Sequence, residues 1–201
     1  MNKRLFVLLP IALLTLVGCN KDKSNEDDSS ESDTPAEIKS FEIDFSNTSY
    51  YDEKVFPKFE NGNTIVQPVE MEGFTWNALN CWANKGYNEG DPYYLMMKNR
   101  DNTVSSFLGN HTKLGAITKV EVVFNTGSVS ASANLRIALG KAELTSGDAS
   151  GDKKAEGTQS SGGTLSCEAS KTDGYNYFMI SNLTGTKKYN VQIAKLKVTI
   201  E

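Results

Sequence analysis

The sequence predicts an all-β fold, a two-sheet antiparallel β-sandwich of the jelly-roll kind. Three observations carry that reading. Ile117–Phe124 alternates apolar and polar residues, the period of a half-buried strand. About nine short runs of this type recur over residues 38–201, separated by Asn, Asp, Gly and Pro. No helical period appears after Val17. A chain of short strands buries its apolar faces by laying sheet on sheet.

The elements follow in order. Ile38 opens the apolar pattern. From Phe41 the alternation is strict, with Phe41, Ile43 and Phe45 opposite Glu42 and Asp44. Asn61-Gly62-Asn63 is a turn signal. Residues 64–69 form a strand that Pro68 pushes toward an edge or bulge. Residues 93–98 form another after Gly90-Asp91-Pro92, and 103–108 a short one. In Ile117–Phe124, the core face is Thr118, Val120, Val122 and Phe124, and Asn125-Thr126-Gly127 closes the strand. Leu135, Ile137 and Leu139 face one way and Arg136 the other. Residues 146–163 are nearly all Gly, Ser, Asp, Lys and Thr, which reads as a long loop, mobile or functional. Strands at 164–169 and 175–181 flank the turn Asp173-Gly174. The last strand, 189–200, changes phase: Val191 and Ile193 share one parity, Leu196, Val198 and Ile200 the other. One extra residue near Ala194 makes this a bulge.

Residues 1–18 read as a processed leader. Lys3 and Arg4 precede an apolar run over 5–17, broken only by Pro10 and Thr15. A spanning helix needs about 20 apolar residues, so the run is a secretory signal peptide. Leu16-Val17-Gly18-Cys19 stands at its end and resembles the lipobox of bacterial lipoproteins. The resemblance implies cleavage before Cys19, acylation of its sulfur and new amine, and a membrane lipid anchor. The alternative is an ordinary secretory signal with an incidental Cys19.

Residues 19–37 then form a tether. Positions 20–37 hold two lysines and seven acidic residues, a net -5 against -4 for the whole chain, so the acidity belongs to the tether. They hold no large apolar side chain, which predicts disorder. This acidic, Ser-rich stretch resembles the lipoprotein export signal of Bacteroidetes. That implies the outer face of the outer membrane, toward the cell exterior. The alternative is a plain solvated linker. The remaining 38–201 carry 17 basic and 18 acidic residues, a near-neutral domain with no electrostatic footprint for nucleic acid. Its strands at 94–98, 117–122 and 191–200 resemble the small galactose-binding-like jelly-roll domains of exported Bacteroidetes proteins. That resemblance implies a fold that hosts sugar binders, adhesion modules and accessory domains of enzymes.

Catalytic signals are sparse. His111 is the only histidine, which excludes multi-His sites, and its loop setting suits exposure. The sequence holds no G-x-S-x-G, P-loop or HExxH motif. Alternation puts Glu70 and Glu72 on one strand face, which usually means solvent. Asn88, Glu89 and Asp91 suit a Ca²⁺ site or, more simply, a polar turn. The expectation is therefore no metal, no cofactor and no enzyme. After Cys19, two cysteines remain, Cys81 and Cys167. They suit one disulfide or two buried free thiols.

The richest segment is 73–94. It holds both tryptophans, three tyrosines and four asparagines, and its Gly, Asn and Pro content reads as loop. Sugar recognition uses flat aromatic faces beside amide and carboxylate groups. Trp76, Trp82, Tyr87 and Tyr93 are the candidate faces, and Asn84, Asn88, Glu89 and Asp91 the polar partners. Each aromatic also suits the core between the sheets. The expectation is a lipid-anchored, non-catalytic module that binds carbohydrate. The alternative is an adhesion or assembly protein that binds another protein through a sheet edge.

Overall fold

A computed structural model describes residues 39–50, 55–56, 65–84, 92–98, 105–127, 132–183 and 190–201. Contacts divide the chain into Met1–Pro35 and Ala36–Glu201, and every described residue lies in the second unit. The leader, Cys19 and tether expected over 1–37 lie outside the described residues, as does the turn at 61–63.

The described residues form twelve strands. The first six are β1 (Lys39–Asp44), β2 (Gln67–Met71), β3 (Phe74–Leu79), β4 (Cys81–Asn84), β5 (Tyr94–Lys98) and β6 (Phe107–Asn110). The rest are β7 (Ile117–Phe124), β8 (Asn134–Gly140), β9 (Lys153–Thr158), β10 (Thr164–Glu168), β11 (Tyr177–Asn182) and β12 (Asn190–Ile200). They make two antiparallel sheets. One runs β10-β7-β12-β5-β4, with β1 also on β12; the other runs β2-β3-β6-β11-β8-β9.

This order is that of a jelly roll. β5 pairs with β12, β6 with β11, β7 with β10 and β8 with β9, the pairing of one long hairpin rolled into two layers. The fold is therefore the all-β sandwich that the alternation predicts.

The core fills the space between the layers. Ile43, Val120, Val122, Phe124, Leu196 and Val198 from one sheet meet Trp76, Leu108, Ile137, Leu139, Phe178 and Ile180 from the other. Burying each large aliphatic side chain there contributes about 1.5–3 kcal/mol. The bulge expected near Ala194 is present. Pairing with β7 slips between Ile193 and Lys195, which turns Leu196 and Val198 back into the core.

Three strands were not expected. β3 and β4 occupy the segment that reads as loop. A two-residue turn at Glu72 and Gly73, with φ of 52° and 76°, joins β2 to β3. Asn80, also at φ 52°, then carries the chain from one sheet to the other. Asn tolerates that left-handed conformation better than most residues. Glu72 thus sits in the turn, not on a strand face with Glu70. β9 lies inside the expected long loop. Its one apolar side chain against the core is Ala155, and pairing with β8 defines it.

The rest of that expected loop is also folded. Residues 141–151 cross the outer side of the second sheet and seal a small cluster of Leu79, Phe107 and Met179 with Leu144. Arg136 donates from Nη1 to the carbonyl of Asp148 at 3.0 Å, and Ser105 Oγ donates to the Asp148 carboxylate at 2.7 Å. Gly147 is required there, because a Cβ would lie 2.3 Å from the Ser105 carbonyl oxygen.

Candidate functional site

The sequence-derived site separates in three dimensions. Trp76 is fully buried, and its Nε1–H donates to the Met71 carbonyl at 3.0 Å. Its ring packs edge-on against Phe41 and Phe178. The ligand-face reading of Trp76 is therefore corrected: inward parity on β3 makes it a core residue. Trp82 and Asn84 alternate along β4 and share one side of that edge strand, both half-buried. Asn84 Nδ2 donates to Tyr94 Oη at 3.1 Å. Tyr93 is half-buried and packs on the core. Tyr87, Asn88, Glu89 and Asp91 lie outside the described residues.

The disulfide reading is also corrected. Cys81 and Cys167 are buried free thiols. Cys81 is on β4 and Cys167 on β10, at opposite edges of one sheet. Four strand spacings separate them, about 19 Å, against the roughly 7 Å limit for a bridge.

The structure forms a cleft from residues that the sequence reading passed over. It opens between the two sheets where β1 and β3 begin and β12 ends. Its volume is about 520 Å³, and Phe41, Phe74, Leu114, Ile200, Ser40 and Lys113 line it. Phe41 and Phe74 are half-buried and pack on the core, with ring centroids 5.1 Å apart at an interplanar angle of 32°. Trp76 supports Phe41 from beneath at 6.0 Å. Lys113 and Glu201 place a cation and a carboxylate on the same exposed rim.

The wall of the cleft is held by Asn110 at the end of β6. Its buried amide donates to the carbonyls of Thr112 and Asn176 at 2.9 and 3.0 Å, and its oxygen accepts from Phe178 N–H at 2.6 Å. Thr112 Oγ1 accepts from the Thr75 N–H at 3.0 Å. Leu114 N–H donates to the Asn176 carbonyl at 3.1 Å. These bonds satisfy the backbone of a short connection and fix Lys113 and Leu114 across from the phenyl rings. Gly115 packs so closely on Ile200 that a Cβ would stand 2.5 Å from its methyl group.

Beside the cleft, a charge ladder crosses four strands of the first sheet. Glu168, Lys119, Glu121, Lys197, Glu42, Lys195 and Asp44 are linked in that order by ion pairs of 2.7–3.9 Å. A hydrogen bond from Lys195 holds the Glu42 carboxyl below the usual carboxylate range, and Lys197 adds to it. Partial burial pushes Asp44 up, but bonds from Ser46 and Lys195 outweigh it and hold it low. The same hydrogen bonds raise Lys119, through Glu121, and Lys195, through Glu42.

Elsewhere, exposed His111 Nδ1 lies 2.8 Å from Glu143 Oε1, which also accepts from Asn77 Nδ2 at 2.7 Å. That arrangement pins the 141–151 segment to β3. Glu72 accepts from Tyr50 Oη at 2.6 Å, and Glu70 from Thr75 Oγ1 at 2.7 Å. Among the described residues, no group of three or more His, Cys, Asp and Glu is placed to hold a metal ion.

No protein family matches the sequence, and no curated protein is similar to it. Among solved structures, the chain is similar to the K1 cleaved adhesin domain of Lys-gingipain from Porphyromonas gingivalis W83. The two share 10% sequence identity and a TM-score of 0.43, over 81% of this chain and 99% of that chain.

Proposed function

We propose that this protein is a non-catalytic binding module, anchored by lipid at Cys19 to the outer membrane and facing the cell exterior, and that its ligand is carbohydrate. The observation that carries the ligand class is the cleft. The accessible parts of Phe41 and Phe74, which are otherwise packed on the core, would meet the C–H side of a pyranose. The rim supplies a donor in Lys113, an acceptor in Glu201 and a hydroxyl in Ser40. An apolar floor with a charge-balanced polar rim suits a neutral polyol better than an ion or a purely apolar ligand.

Three of the acidic groups are unsuited to general-acid work. Glu42, Asp44 and Glu156 are all held low, Glu156 by hydrogen bonds from Lys154 and then Arg136. A general acid needs the opposite shift. The anchor reading rests on the leader and Cys19, and the outward-facing one on the acidic tether.

The test is a glycan array probed with the full chain in detergent micelles, beside Phe74→Ala. The expected result is binding by the parent and loss in a variant that still melts cooperatively. Binding that survives in Phe74→Ala would move the site away from the cleft. In parallel, Cys19→Ser should leave the membrane fraction.

One observation favours the alternative, a partner strand added at a sheet edge. Ile65 and Val66, exposed by 65% and 37%, stand directly before edge strand β2. Pro68 within β2 lacks an N–H and weakens that edge as a template.

A further inference from the structure

A second hollow lies next to the cleft. Ser40 and Phe41 also border this second, smaller hollow of about 400 Å³ on the outer side of the first sheet. Its other walls include Glu42, Lys119, Glu121, Lys197 and Thr199. The two hollows share Ser40 and Phe41 at the start of β1, one lying between the sheets and the other on the outer face. One has an aromatic floor. The other is a shelf of alternating donors and acceptors taken from the charge ladder.

We infer that they form one continuous site, and that its ligand is an oligosaccharide lying across β1, not a single sugar. This rests on the carbohydrate reading of the cleft and specifies its ligand. The geometry gives the length. Crossing from β1 over β12 to β7 spans two strand spacings, so the shelf alone is about 10 Å wide. A sugar seated on Phe41 and Phe74 fills only the first hollow.

The chemistry of the shelf agrees. Lys197 lies 3.4 Å from Glu42 and 3.9 Å from Glu121, and Lys119 lies 3.0 Å from Glu121. These groups are already oriented and about one-quarter to one-half exposed, so they present fixed donors and acceptors to ligand hydroxyls. Thr199 adds a hydroxyl in the same row. The balance of charge means that no anionic group on the ligand is required.

The experiment is a length series. The full chain in micelles is titrated by calorimetry with glucan, mannan, xylan and galactan oligosaccharides of one to six units, together with the backbone of any glycan bound on the array. The expected result is an affinity that rises about tenfold or more between the disaccharide and the tetrasaccharide of the bound series. Lys197→Ala and Thr199→Ala should each cut tetrasaccharide affinity and leave the disaccharide unchanged. Phe74→Ala should weaken both. A monosaccharide that binds as tightly as the tetrasaccharide overturns the two-part site while the carbohydrate reading stands. So does a shelf variant with parental affinity at every length. Failure of every saccharide at every length overturns both readings together. Thermal melts of each variant separate lost binding from lost fold.

Discussion

Replacing each tryptophan in turn gives the sharpest test of how this domain is built. Trp76 is fully buried, contacts two phenyl rings and makes one side-chain hydrogen bond to the Met71 carbonyl. Trp76→Ala removes all of this and leaves a cavity, a change that costs about 3–5 kcal/mol. In a domain of this size, each kcal/mol lowers the melting temperature by about 2–4 °C, so the expected fall is about 6–20 °C. Trp76→Phe keeps an aromatic ring and loses the hydrogen bond, leaving a buried carbonyl without that donor. Its expected cost is smaller, about 1–3 kcal/mol. Trp82 is half-buried on an edge strand, so Trp82→Ala should cost about 1 kcal/mol. Urea and thermal denaturation followed by circular dichroism give the three values. Fluorescence adds a check that does not depend on stability. In Trp82→Phe, the remaining Trp76 emission should resist quenching by acrylamide. Equal midpoints for the two alanine variants, or ready quenching of Trp76, would refute the core assignment.

Two further predictions follow from the electrostatics and the thiols. Glu42 and Asp44 have folded pKa values below their unfolded ones, chiefly through Lys195 in the first case and through Ser46 and Lys195, against burial, in the second. Their stabilisation is full above about pH 5 and is lost as the pH falls through the folded values. Urea midpoints measured from pH 7 to pH 3 should therefore fall less steeply in Lys195→Met than in the parent, and identical slopes would contradict the ladder. Burial pushes the Cys81 and Cys167 thiols upward. Ellman's reagent at neutral pH should leave both unmodified in the native protein and modify both in denaturant. A Cys81–Cys167 peptide in a non-reducing digest would show instead that the strand order is wrong.

The sequence by itself determined the fold class and most of the strands. Period-two alternation is a local property, and in β7 and β8 one face had to be buried whatever lay opposite. Even the phase change in β12 was visible, because an extra residue inverts the parity of everything after it. Local pattern failed where neighbours define the strand. β9 turns only Ala155 onto the core and exists through its ladder with β8, reinforced by Arg136 with Glu156. β3 and β4 share a run in which one left-handed residue, Asn80, changes the sheet. A reading of composition sees Asn and Gly there and concludes loop.

The candidate site was the least legible part. Aromatic content singled out Trp76, but composition carries no information on which side of a sheet a ring points. Only the tertiary structure decided that, through the pairing of β3 with β2 and β6. Phe41, Phe74, Lys113 and Ile200 come from four separate stretches of chain and share no spacing. They meet because the rolled hairpin brings the starts of β1 and β3 and the end of β12 to one opening between the sheets. The distance between Cys81 and Cys167 is of the same kind. Strand order sets it, and strand order arises from long-range pairing that no local window contains.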